Sequence, residues 1–220
     1  MNPISKYDYE RAEMERARKA FEHHTIAART DATWRLAPDP KRRTGFSGVT
    51  VAALGRYLVV VGDADTCVFS GGSYSEPRDV VAWMGSTTDL RYVVEKAGHG
   101  MSDLGGKITE ELDAEVMLHD LQERVGYVSD PENGYNEEET AKHLEVLNEC
   151  IDTIKDCSDL GLAGAHHTLC NDWPGEIEDV YRVGVVPAWR VIVAHAVVRR
   201  LWGILKTEAT TAEAQSEVSP

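Results

Sequence analysis

Carboxylates three residues apart recur in the second half of this chain. Glu110 with Asp113, and Glu149 with Asp152, stand at i, i+3, a spacing that sets both members of a pair on one side of a helix. Two such pairs on facing helices would supply the oxygen donors that Mg²⁺ takes, and the outcome would be a metal-dependent hydrolase acting on nucleotides. Asp63 and Asp65, after the apolar run Tyr57 to Gly62, offer another carboxylate pair for the same ion. Glu115 with His119, and Glu139 with His143, are i, i+4 pairs of acid and base. Cys150, Cys157, His166, His167 and Cys170 are of the types Zn²⁺ prefers, with His167-x-x-Cys170 at a usable spacing.

Each group has a plainer reading. Gly62-Asp63-Ala64-Asp65 lies between two strand-like runs with too few residues for a crossover, and Gly and Asp are what a tight hairpin turn selects. Leu144, Leu147, Ile151 and Ile154 define the inner stripe of a helix, so at about 100° per residue Glu149 and Asp152 point outward. The two Glu/His pairs flank an apolar stripe instead of lying on it. Cys150 and Cys157 are seven residues apart with no Cys-x-x-Cys knuckle, and cysteine is ordinarily buried. Gly71-Gly72-Ser73 leads into Glu76 and not into Gly-Lys-Ser/Thr, and the chain has neither G-x-G-x-x-G nor G-x-S-x-G. The expectation is no catalytic residue, no metal and no cofactor.

The elements that hold these residues follow from periodicity. Residues 4–28 carry Tyr7, Met14, Ala17 and Phe21 at three- and four-residue spacings, predicting one amphipathic helix. Trp34 to Leu36 reads as a short strand and Pro38-Asp39-Pro40 as a turn. Phe46 to Leu54, Tyr57 to Gly62 and Thr66 to Ser70 read as three strands of an antiparallel meander. Glu76 to Met84, with Pro77 in its first turn, and Asp89 to Lys96 predict two short helices. Beyond Gly98, a helix capped near Thr109 should reach Val125, and Asn136 with Glu139 forms a capping box for an acidic helix to about Cys157. Gly161 to Trp173 has no clear pattern. Pro187 should open a helix to Lys206, apolar most of the way round and central to the helical part. Residues 207–220 should be a disordered tail.

Charge is unevenly placed. Of the net −14, residues 103–159 contribute seventeen Asp/Glu against four Lys/Arg, whereas residues 1–45 carry ten Lys/Arg against seven Asp/Glu. So acidic a segment opposes nucleic acid and anionic lipid and suits a basic protein partner. No apolar stretch reaches the roughly 18 residues of a membrane span, and Val185 to Leu205 is broken by Arg190, His195, Arg199 and Arg200. The charged N-terminus is unlike a secretory signal, so a cytoplasmic location with free thiols is expected.

Trp34-Arg35, then Leu58-Val59-Val60-Val61-Gly62-Asp63 with Val68-Phe69, then Trp83-Met84 and Tyr92-Val93-Val94-Glu95-Lys96, together resemble a group of uncharacterised proteins encoded by tailed bacteriophages. Those often show Gly-Asp-x-Gly where this chain has Gly62-Asp63-Ala64-Asp65. The resemblance covers about residues 34–97; it implies a phage or prophage origin and transfers no catalytic residue.

The resulting expectation is an α+β protein with a small antiparallel sheet flanked by helices over 1–100 and a helical acidic region over 101–206. Its expected role is that of a non-enzymatic, nucleic-acid-mimicking inhibitor of a host nucleic-acid-binding or defence protein. The carboxylates expected to meet that basic surface are Glu110, Glu111, Asp113, Glu123, Glu137, Glu138, Glu139, Glu149 and Asp152. A metal-dependent nucleotide hydrolase and a homo-oligomeric phage assembly component are the alternatives.

Overall fold

The computed structural model describes residues 2–42, 46–63, 65–72, 74–102, 110–155, 159–176, 180 and 182–217, and the chain is an α+β protein. It divides into two compact units. One comprises Met1–Glu10 with Glu110–Val186, and the other Arg11–Thr109 with Pro187–Pro220. The sequence-based division near residue 100 is therefore corrected: the last stretch of chain belongs with the sheet.

The sheet unit is built on a five-stranded antiparallel meander, β1 (His24–Arg29), β2 (Thr33–Pro38), β3 (Val49–Leu54), β4 (Tyr57–Gly62) and β5 (Asp65–Ser70), in that spatial order. Alternation along the strands buries Trp34 and Leu36, Val49, Val51 and Ala53, Leu58 and Val60, and Cys67 and Phe69 in one core, as the two-residue period of a strand requires. Leu54 pairs with Tyr57 across Gly55-Arg56. Gly55 takes φ +61° there, the left-handed conformation that a two-residue hairpin selects.

Helix α1 (Lys6–Phe21) stops seven residues short of the expected end, and β1 takes up the chain. Helical periodicity in 22–28 is overridden by pairing: Thr25 and Ile26 lie opposite Ala37 and Leu36 of β2, and β-branched side chains suit that surface. His24 is fully buried, its ring 4.8 Å from Phe21. Helices α2 (Pro77–Ser86) and α3 (Leu90–Ser102) follow, the latter longer than expected and started by Asp89, whose Oδ1 accepts from the Arg91 amide at 3.0 Å.

Strand β6 (Glu110–Leu112) opens the helical unit, followed by α4 (Ala114–Ser129), α5 (Glu137–Lys155) and α6 (Asp159–Asp172). Thr109 lies outside the described residues. The cap of α4 is Asp113, whose carboxylate accepts from the Glu115 and Val116 amides at 3.0 Å. The Asn136/Glu139 box forms as expected, with reciprocal bonds of 3.0 and 2.9 Å at the start of α5. Segment 161–172, without a clear pattern in the sequence, is α6 because it packs along α5; Ala165 and Leu169 join Met117, Leu121, Leu147, Cys150 and Ile154 in this unit's core.

Pro187 ends β7 (Val185–Pro187), the partner of β6, and α7 (Trp189–Glu217) begins after it. Val191, Ile192, Val193, Val197, Val198 and Leu201 of α7 belong to the core under the sheet, not to the helical unit. The expected disordered tail is helical to Glu217. Its alanines, glutamates and glutamine favour helix, and extending a helix already fixed by packing is far cheaper than nucleating one. Thr207, Thr210 and Thr211 donate to the carbonyls four residues back at 2.9, 3.1 and 2.9 Å.

Candidate functional site

The Asp63/Asp65 stretch is a turn. Gly62 pairs with Asp65 across it. The Asp63 Oδ2 accepts from the Ser47 hydroxyl at 2.7 Å and from the Ser47 amide. Those two bonds, the hydroxyl's first, hold the carboxyl below its usual range. A carboxylate committed to its neighbouring loop is a structural tie.

The cysteine and histidine set does not converge among the described residues. Cys150 is fully buried and donates its thiol to the Ala165 carbonyl at 3.3 Å, and burial pushes its pKa up to about 11, disfavouring the thiolate that zinc needs. His167 meets Asn171 at 3.1 Å, His166 lies 3.8 Å from Cys170, and Cys157 lies outside the described residues.

The carboxylates expected to form a partner surface separate into groups with different duties. Asp113 is spent on its helix cap and Glu139 on its capping box. Glu110, on a strand and not on a helix, is paired with Arg182, whose Nη1 lies 3.3 Å from Oε2, so no Glu110/Asp113 helical pair exists. Glu111 is exposed beside it. Glu137, Glu138, Glu149 and Asp152 all lie exposed on α5, the last two as the inner stripe predicts; Glu138 pairs with Lys142 at 2.8 Å and Asp152 with Lys155 at 2.7 Å.

Helical spacing sharpens this face. Positions 138, 145, 149 and 152 fall within about 60° of one another around the helix axis at 100° per residue, so Glu138, Glu145, Glu149 and Asp152 make one exposed stripe. Its length is about 21 Å at 1.5 Å per residue. Glu145 was missed among the candidates, although its place seven residues after Glu138 is legible in the sequence. On the opposite side of α5, His143 is a correction: it is buried, not flanking, and its Nδ1 donates to the Glu139 carbonyl at 2.7 Å. The ring stands edge-on to Trp173 at 4.6 Å, so it is a packed core histidine.

Glu123 stands apart from this stripe, on α4. It lines a cleft of about 610 Å³ within the helical unit, together with Asp120, Arg124, Tyr127, Tyr135, Trp173 and Arg182. Arg124 lies over the Trp173 ring, 5.8 Å from its centroid. The Nδ1 of His119 lies 3.7 Å from Asp120 Oδ1 and 3.9 Å from Glu123 Oε2. Sequence reasoning paired His119 with Glu115; the i, i+4 partner in the other direction is the one the fold brings near.

Comparison with protein-family models, with curated proteins and with solved structures finds no match to this chain. Among the described residues no helix is long and apolar enough to cross a membrane.

Proposed function

We propose that this chain is a phage-encoded binding protein whose acidic helical unit engages a basic surface of a host protein, in competition with that protein's nucleic acid. The observation that carries this reading is the sorting of charge by unit. Met1–Glu10 with Glu110–Val186 hold 22 Asp/Glu against 5 Lys/Arg, a net of −17, whereas the other unit holds 15 against 18, a net of +3. The net negative charge of the chain thus comes from one unit, a distribution that steers a cationic partner to one surface.

The stripe Glu138, Glu145, Glu149 and Asp152 is the contact that fits best. A row of carboxylates presents phosphate-like charge, and it carries no base edges, so it competes for the positions that bind backbone and not for those that read sequence. A host nuclease or another nucleic-acid-binding defence protein in the bacterial cytoplasm has the chemistry to be the target. Asp113 and Glu139 drop out of the contact set, since their carboxylates already serve two helix starts.

The test is capture of partners from a bacterial lysate with the full-length protein as bait, at low and then raised salt. Reversing Glu138, Glu145, Glu149 and Asp152 to lysine should weaken binding of the captured basic protein at least about tenfold and flatten its salt dependence. Undiminished binding by a folded quadruple variant would overturn the proposal.

A further inference from the structure

We infer that His119, Asp120 and Glu123 form a binding site for a divalent transition-metal ion at the lip of the cleft in the helical unit. The three residues occupy little more than one turn of α4, and one ligand atom from each lies within 4.8 Å of the others. They converge without bonding to each other. The separations from His119 Nδ1, 3.7 Å to Asp120 and 3.9 Å to Glu123, exceed hydrogen-bond lengths. That nitrogen is nonetheless shut off from solvent and has no hydrogen-bond partner. An enclosed imidazole nitrogen without a partner is a costly arrangement, and a cation between it and the two carboxylates relieves it.

The geometry needs little change to accept one. Metal–nitrogen and metal–oxygen bonds of about 2.0–2.2 Å place neighbouring ligand atoms roughly 3.0–3.5 Å apart, so the two separations from His119 must close by only a few tenths of an ångström to about 1 Å. Glu123 is exposed and can move. Asp120 is already oriented: its Oδ2 accepts from the Gly184 amide at 2.9 Å, leaving Oδ1 as the oxygen nearest His119. A hydrogen bond to the oxygen that does not ligate is how outer groups commonly fix a metal-binding carboxylate.

One imidazole with two carboxylates suits Mn²⁺, Fe²⁺, Co²⁺ or Zn²⁺, because the nitrogen donor is ill-matched to the all-oxygen preference of Mg²⁺ and Ca²⁺. The net charge of −17 on the unit adds a general attraction for cations. Three protein ligands leave coordination positions open. Asp120 and Glu123 are themselves walls of the cleft that Arg124, Arg182 and Trp173 complete, so the exogenous ligand such an ion would take there is an organic anion, carboxylate or phosphate. This site is separate from the α5 stripe and stands or falls independently of it.

The experiment is titration of chelator-stripped full-length protein with Mn²⁺ and with Zn²⁺, followed by calorimetry and by the shift in melting temperature. One equivalent should bind and raise the melting temperature. His119→Ala and Glu123→Gln should each weaken binding at least about tenfold, whereas Cys170→Ser should leave it unchanged. The Co²⁺-loaded protein should show ligand-field bands with no thiolate charge transfer. Both substituted positions are at least partly exposed, and Glu123→Gln keeps size and shape should His119→Ala fold poorly. Absence of saturable binding, binding undiminished in folded Glu123→Gln, or thiolate bands lost with Cys170→Ser would each overturn the inference.

Discussion

His195 shows how a polar side chain can be locked in a core by one bond. It is fully buried in α7, and its Nε2 donates to the Thr87 carbonyl at 3.1 Å, leaving Nδ1 without a partner. Burial, with the charge of Arg199 as a lesser cause, holds its pKa down to about 4 from 6.5. The unfolded chain therefore binds the proton more readily than the folded one between those two values. The resulting stability is fully present above pH 6.5 and is lost as pH falls toward about 4, with a total of about 3 kcal/mol. Urea midpoints measured across that interval should fall with pH, and His195→Leu should flatten the fall; an unchanged slope in the variant would show that His195 is not the titrating group. Gly184, in the other unit, is constrained more tightly. Its φ is +71°, and an added Cβ would stand 2.4 Å from the Met117 Cβ, so the chain passes there only as glycine.

Helix α5 has two faces with opposite duties. Inward, Val146, Leu147, Cys150 and Ile154 bury against α4 and α6; outward, the acidic stripe faces water. Its exposed pairs, Glu138 with Lys142 and Asp152 with Lys155, contribute only about 0.3–0.5 kcal/mol each, and adjacent like charges oppose the helix by similar amounts. Packing and the cap must therefore carry its stability. Replacing Asn136 by alanine should cost about 1 kcal/mol, seen as a lowered urea midpoint for the helical unit. An unaltered midpoint would mean that Glu139 and solvent satisfy the first turn without it.

The molecule as a whole is a sheet unit and a helical unit, each with its own core. In the sheet unit α2 packs closely on α7 where Gly85 faces Trp202: a Cβ at residue 85 would lie 2.5 Å from the Trp202 Cβ. Gly85→Ala must push the helices apart, and a loss of about 1–3 kcal/mol is expected. The intrinsic preference of alanine for helix works the other way by about 1 kcal/mol, so a melting temperature equal to or above wild type would show that α7 can shift to make room. Charge is a property of this scale too. The acidic unit and the slightly basic one differ by 20 charges, a contrast that depends on where the fold sends each segment.

The sequence by itself determined the elements whose signal is local. The β3–β5 meander with its Gly-Arg and Gly-Asp turns, the Pro77 helix start, the Asn136/Glu139 box and the outward aim of Glu149 and Asp152 follow from two- and 3.6-residue periods and from turn chemistry. The α+β class followed from those elements. Tertiary structure decided what depends on partners far along the chain. β1 is a strand because β2 lies beside it, α7 belongs to the sheet because its apolar residues complete that core, and 207–217 stay helical as an extension of it. The same holds for chemistry. Asp113, Glu139 and Asp63 are carboxylates of promising type whose oxygens turned out to be occupied by nearby amides. His119, Asp120 and Glu123 gain meaning only because Gly184, 64 residues beyond Asp120, holds one oxygen and leaves the other beside an unsatisfied imidazole nitrogen. A hydrogen bond closing so long a loop has no trace in local periodicity, which is why the fold alone revealed it.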